Sequence, residues 1–201
     1  DRKMKLKHLS LLCMFIGVGM MAYALFAYVP QFLVGTTNPE TYKQKMAEVK
    51  EYTTDSRPAR KILYPVRPKM NEKFGELIIP KLKAVLPIYE GTDEDALERG
   101  VGHYAKSVLP GESDNSVLSG HRDTVFRSIG KLKVGDELIV KTYAGVFTYR
   151  IKKTWIVDED DRSVIVSHYG KKILTLTTCY PFNWIGPAPQ RYIIQSEMVE
   201  T

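Results

Sequence analysis

From Leu9 to Pro39 no side chain is charged, and Leu9 to Val34 is apolar almost without interruption. A helix of that length crosses the hydrocarbon of a bilayer. A buried helix of a soluble protein rarely stays uncharged on every face for so long, and Gly17 and Gly19 are better tolerated in lipid than in a water-exposed helix. Asn38-Pro39-Glu40 then reads as a helix start, with a capping amide, a proline at the first turn and an acid near the positive helix end. That helix is expected to run to about Tyr52 and, with Met46 and Val49 as its few apolar side chains, to lie loosely on the domain or stand off the membrane. Residues 53 to 72 hold Pro58, Pro65 and Pro68 among charged and small residues, as a semi-extended linker does.

From Phe74 onward short β-rich segments alternate with glycine, proline and aspartate. Strands are expected at Phe74 to Ile79, Leu82 to Tyr89, Asn115 to Ser119, Glu137 to Tyr143, Val146 to Val157, Arg162 to Ser167, Lys172 to Cys179 and Arg191 to Val199. Ala144-Gly145 reads as a two-residue hairpin turn, and Thr92 with Asp95 as a capping box for a short helix through Arg99. Thr124 to Ile129 reads as one helical turn. Eight short strands with little helix predict an all-β domain closed into a barrel, because closure removes exposed edges. The expected organisation is a basic segment at 1–8, a transmembrane anchor at 9–34, a helix and linker at 35–72, and a β-barrel domain at 73–201.

Charge sharpens the topology. The chain has 201 residues and a formal net charge of +6, and Arg2, Lys3, Lys5 and Lys7 crowd the first seven positions beside one acid. Positive-inside bias places residues 1 to 8 in the cytoplasm and all that follows Val34 outside. A cleaved signal peptide is the competing reading. The apolar run is long for a signal core, and Tyr28-Val-Pro-Gln-Phe is not a small-x-small cleavage site, so an uncleaved single-pass anchor is expected. No dense basic stripe with interleaved aromatics points to nucleic acid.

The two cysteines are Cys13, inside the apolar run, and Cys179, which is left alone in the outer domain. A lone cysteine is either a small buried hydrophobe or a thiol kept for chemistry. In Ile173-Leu-Thr-Leu-Thr-Thr-Cys179-Tyr-Pro, a period of two puts Leu174 and Leu176 on one face and Thr175, Thr177 and Cys179 on the other. A nucleophilic thiol needs an imidazole as base or as cationic partner. His168 sits in a turn beside lysines and reads as surface. His103 reads equally as a strand-edge or a structural residue. His121 follows a strand, beside a glycine that allows close backbone approach, and is the preferred partner. Arg191 begins the last strand after the loop from Tyr180 to Gln190, which holds Phe182 and Trp184. It is either a solvent-facing or salt-bridged arginine or a permanent cation for a developing oxyanion. Four scattered histidines and one outer cysteine show no zinc-ligand spacing.

The runs Leu-Ser-Gly-His121-Arg-Asp-Thr-Val-Phe, Thr-Leu-Thr-Thr-Cys179-Tyr-Pro-Phe and Ile-Gly-Pro-Ala-Pro-Gln-Arg191-Tyr resemble the sortase family, most closely its class D, over about residues 74 to 199. The resemblance implies an eight-stranded β-barrel with His121, Cys179 and Arg191 as its catalytic residues. Cys179 would be the nucleophile, His121 the general acid or imidazolium partner, and Arg191 the stabiliser of the oxyanion or bound peptide. It implies transpeptidation at a sorting signal resembling Leu-Pro-x-Thr-Gly or Leu-Pro-x-Thr-Ala through a thioester at Cys179. The partners would be surface proteins of Gram-positive cells bearing that C-terminal signal and an amine of the cell wall. The lid of pilin-assembling relatives is not expected, because no Asp-Pro-aromatic motif precedes Phe74. No cofactor is required by this chemistry. Some relatives respond to calcium, but Glu94, Asp95 and Asp114 do not assemble into a site at this level, which leaves metal dependence open. A cell-wall cysteine hydrolase and a non-enzymatic scaffold with a structural Cys179 are the alternatives.

Overall fold

In the computed structural model, which describes residues 2–54, 63–183 and 186–199, the chain divides into two units, the apolar helix and everything after it. The first helix, α1, spans Arg2–Val34. Its stretch Leu11–Val29 has a mean hydropathy of 2.0, is exposed along its length, and is long and apolar enough to cross a membrane. In water such a surface is unfavourable on every side.

The second unit begins with α2 (Pro39–Thr54). The backbone N–H of Glu40 donates to the side-chain oxygen of Asn38 at 2.9 Å, so the expected cap is present. Eight strands follow: β1 (Lys73–Ile79), β2 (Ala84–Glu90), β3 (Val101–His103), β4 (Asp114–Ser119), β5 (Glu137–Thr142), β6 (Gly145–Asp158), β7 (Lys172–Tyr180) and β8 (Gln190–Met198), with a short helix α3 (Glu94–Arg99) after β2. They close into a barrel in the order β1-β2-β3-β4-β7-β8-β6-β5. The β2–β3 and β4–β7 pairs are parallel and the rest antiparallel.

Alternation explains the interior. Leu77 and Ile79 of β1, Leu86 and Ile88 of β2, Leu138 and Val140 of β5, Tyr149 and Ile151 of β6, and Leu174 and Leu176 of β7 all belong to one buried cluster. The outward residues Ile78 and Ile139 would be wet, but Val49 of α2 packs on them with Tyr42 and Met46. Hence Leu77-Ile78-Ile79 is apolar on both faces. The expectation that α2 lies loosely is corrected: it is docked on the outside of the barrel.

Other expectations also change. The part of the proposed linker that is described, 63–72, is not a spacer. Tyr64 is buried there, its hydroxyl donating to the Pro110 carbonyl at 2.7 Å and lying 3.1 Å from Oγ1 of Thr142. Burial pushes the Tyr64 phenol far above its ordinary pKa. Residues 55–62 lie outside the described residues. The strand expected at Arg162 to Ser167 is a 3-10 turn, Ser163–Ile165. Asn115 takes up the Val164 and Val166 carbonyls with its side-chain amide, at 3.1 and 3.2 Å, which removes them from any ladder. The eighth strand is instead β3, only three residues long and glycine-centred. The α3 cap is Asp93, accepting from the Ala96 N–H at 3.0 Å, and not Thr92. Thr142 pairs with Gly145, so the hairpin turn is Tyr143-Ala144, one residue earlier than expected. Thr124 to Ile129 is a run of turns leading into a 3-10 turn at Ile129–Lys131.

Candidate active site

The parallel ladder of β4 and β7 carries the site at its end. The last pair, Ser119 with Thr177, is extended by a hydrogen bond from the Gly120 N–H to the Thr177 carbonyl at 3.2 Å. The buried Thr178 hydroxyl donates to the Gly120 carbonyl at 2.6 Å. Both backbone groups of Gly120 are thereby fixed, and His121 leaves the sheet at a set point. A side chain at Gly120 is excluded, because a Cβ would lie 2.7 Å from side-chain atoms of Val125 and Phe126. The turn is closed by the Phe126 N–H on the His121 carbonyl at 3.0 Å.

Cys179 lies one residue before the end of β7, half-buried, and pairs directly with Arg191 in the antiparallel β7–β8 ladder. Directly opposed residues project from the same face of a sheet. Leu174, Leu176 and Thr178 are buried on one face of β7; on the other, Ile173 and Thr175 are buried and only Thr177 and Cys179, toward the strand's end, are half-exposed. The Arg191 guanidinium is oriented by its neighbours. Its Nη1 donates to the carbonyls of Ala188 and Gln190 at 3.0 and 2.9 Å, and Nη2 lies 3.5 Å from Oε2 of Glu159.

His121, Cys179 and Arg191 line one groove of about 360 Å³ on the outside of the barrel. Val117 and Thr177 from the sheet, Val164 and Ile165 from the β6–β7 connection, Leu97 of α3 and Tyr104 also line it. Nε2 of His121 is 3.8 Å from Oε1 of Glu94, beyond hydrogen-bond reach but within range for charge interaction. The geometry therefore gathers a thiol, an imidazole and a fixed cation along one concave surface, which suits acyl transfer through sulfur.

The other histidines are elsewhere. His103 is buried in a hydrogen-bond network, and His168 donates its backbone N–H to Asp114 and sets Nε2 3.2 Å from the Gln195 amide. The acids do not converge either. Asp95 pairs with Arg99 at 2.7 Å, and Asp114 accepts from Ser167 at 2.6 Å. Among the described residues no group of three or more His, Cys, Asp and Glu is arranged around a common metal position. Sequence reasoning missed Glu159, the counter-charge of Arg191. It also missed Arg122, which donates to the Pro181 and Gly186 carbonyls at 3.2 and 2.9 Å and so ties the loop before β8 to the His121 turn. Neither residue carries a sequence signal, since each acts on a partner distant in the chain.

A sortase-domain profile matches residues 77–199. Sortase D of Bacillus subtilis is 54% identical over 133 residues, 66% of this chain and 67% of its own length. The solved catalytic domain of Bacillus anthracis SrtD is 42% identical with a TM-score of 0.58, covering 73% of this chain and 97% of that one. A Clostridium perfringens Sortase D5 transpeptidase superposes with a TM-score of 0.63 at 26% identity, covering 80% of this chain and 99% of that one. The chain belongs to the sortase family of cysteine transpeptidases. Within it, the chain is closely related to the class D sortases.

Proposed function

We propose that this protein is a membrane-anchored transpeptidase. It would cleave a sorting signal resembling Leu-Pro-x-Thr-Gly or Leu-Pro-x-Thr-Ala after threonine and pass the protein to a cell-envelope amine. The observation that carries the reading is the pairing of Cys179 with Arg191 across β7–β8, with His121 in the same groove.

The Cys179 thiolate attacks the threonine carbonyl, forming a C–S bond and an oxyanion. The Nη1 bonds to Ala188 and Gln190 hold the guanidinium still. Its Nε–H and a second Nη2 N–H take no part in the bonds described above and serve the oxyanion or the peptide. His121 protonates the departing amine as the C–N bond breaks, leaving a thioester. The acceptor amine then attacks that thioester, loses a proton to His121 and expels the thiolate. Nucleophile, acid and oxyanion donor all come from side chains, so no cofactor is needed for these steps.

Anchoring is supported by the length and hydropathy of α1 and by the basic residues before it. The topology that follows puts the first residues in the cytoplasm and the barrel outside, where clients and wall amines are found.

The test is product analysis of the full chain in detergent with a sorting peptide, with and without a glycine-based or diamino-acid amine. Transpeptidation predicts that amine captures most of the acyl group. A product pool of free acid unaffected by amine would assign the protein to hydrolysis instead.

A further inference from the structure

A second imidazole lies outside the groove, enclosed by acceptors. His103 ends β3, is 1% exposed, and stands edge-on to the Phe74 ring with centroids 5.8 Å apart. Its Nδ1 is 2.7 Å from Oε2 of Glu90. Its Nε2 is 2.9 Å from the Val108 carbonyl oxygen and 3.0 Å from Oγ of Ser107. A carbonyl only accepts, and Ser107 gives its one hydroxyl proton to the Tyr104 carbonyl at 2.7 Å. Each ring nitrogen thus has a hydrogen-bond partner, and the ring is held in one orientation. Glu90, only 8% exposed, fixes it from β2, and Val108 and Ser107 fix it from the turn after β3.

Glu90, His103 and Ser107 follow the hydrogen-bond order of a hydrolase triad. The serine, however, donates away from the ring, and the ring is closed to substrate. What the network holds is the turn after β3. The Tyr104 N–H donates to the Val117 carbonyl at 2.9 Å, and the Val117 N–H donates to Ser107 Oγ at 3.1 Å. Tyr104 and Val117 both line the groove with His121 and Cys179. The connection runs from Glu90 through His103 to Ser107, and from there to the groove lining.

We propose that His103 is a positioning residue for the substrate groove: a ring fixed by Glu90 that holds the 104–108 turn and, through it, the groove lining against which the peptide lies. The identity of the peptide rests on the transpeptidase reading above, whereas the hydrogen-bond network does not.

Kinetics of the full chain in micelles with sorting peptide and amine read the role. Glu90→Ala should raise KM about tenfold with kcat nearly unchanged, the signature of lost uniform binding. Glu90→Gln should restore KM, because its side-chain amide can still hydrogen-bond Nδ1. Should Glu90→Ala not fold, Ser107→Ala carries the test, since it cuts the link to the groove lining and leaves the Glu90–His103 contact in place, and it too should raise KM. A wild-type KM in Glu90→Ala or Ser107→Ala, or a loss confined to kcat, overturns the positioning role alone. No turnover in the wild type overturns the transpeptidase reading, and with it the peptide named here.

Discussion

Arg191 is held by two backbone carbonyls at one end of its fork and faces Glu159 at the other. That geometry suits a planar guanidinium and not an ammonium, which is a compact point charge. Arg191→Ala should therefore lower kcat/KM by about a hundredfold or more, the usual effect of removing a preorganised donor, and Arg191→Lys should recover little. Wild-type turnover in either variant would take Arg191 out of the reaction. Asp114 offers a separate test by pH. The Ser167 hydroxyl, and after it the His168 N–H, hold its carboxyl below the ordinary carboxylate range. A carboxylate depressed in the folded state stabilises the protein above its unfolded pKa, and loses that contribution as pH falls through its folded pKa. The gap in Tm between wild type and Asp114→Asn should be widest near neutrality and close as the solution is acidified. A gap that stays constant with pH would show that the carboxylate charge is not involved. At this scale Cys179 was legible, because threonine–leucine alternation fixes its face whatever the tertiary structure. Choosing His121 over His103 needed the glycine beside it and the family resemblance, since burial of His103 by Glu90 and Val108 depends on three segments meeting.

Elements were legible where one face decides them and obscure where a distant partner does. β7 shows its alternation in the sequence. β1 does not, because α2 buries its outer face through Val49, Tyr42 and Met46. Those three residues are spaced by four and three, a helical stripe, yet they are too few to reveal docking without the isoleucines opposite them. The segment from Arg162 to Ser167 has strand composition, but the Asn115 amide captures its carbonyls. The docking of α2 is open to measurement. Val49→Ala removes two buried methyl groups and should cost about 1–2 kcal/mol, read as a lower urea midpoint at unchanged m. A midpoint equal to wild type would mean that α2 contributes nothing to the stability of the barrel.

For the whole molecule, α1 and the barrel form separate units, and the proposed function depends on the first anchoring the second at the outer membrane surface. The uncharged run made the helix legible at once, since no interior needs that length of unbroken apolar surface. Orientation rests on the basic N-terminal residues. Protease added to intact protoplasts should digest the barrel and leave α1 in the membrane; a protected barrel would reverse the topology. Strand number was legible, although it emerged from a missed three-residue strand and a mistaken one, and barrel closure followed from that number through the cost of open edges.

The central claim is that Cys179 becomes acylated with help from His121 in the groove they share. Its most direct test is intact-protein mass spectrometry of the full chain mixed with a threonine-containing sorting peptide. Wild type should gain the mass of the peptide up to threonine and lose it faster when amine is supplied. Cys179→Ala should gain nothing, and His121→Ala should gain it far more slowly. An adduct on Cys179→Ala, or formation and release at the wild-type rate in His121→Ala, would contradict the account.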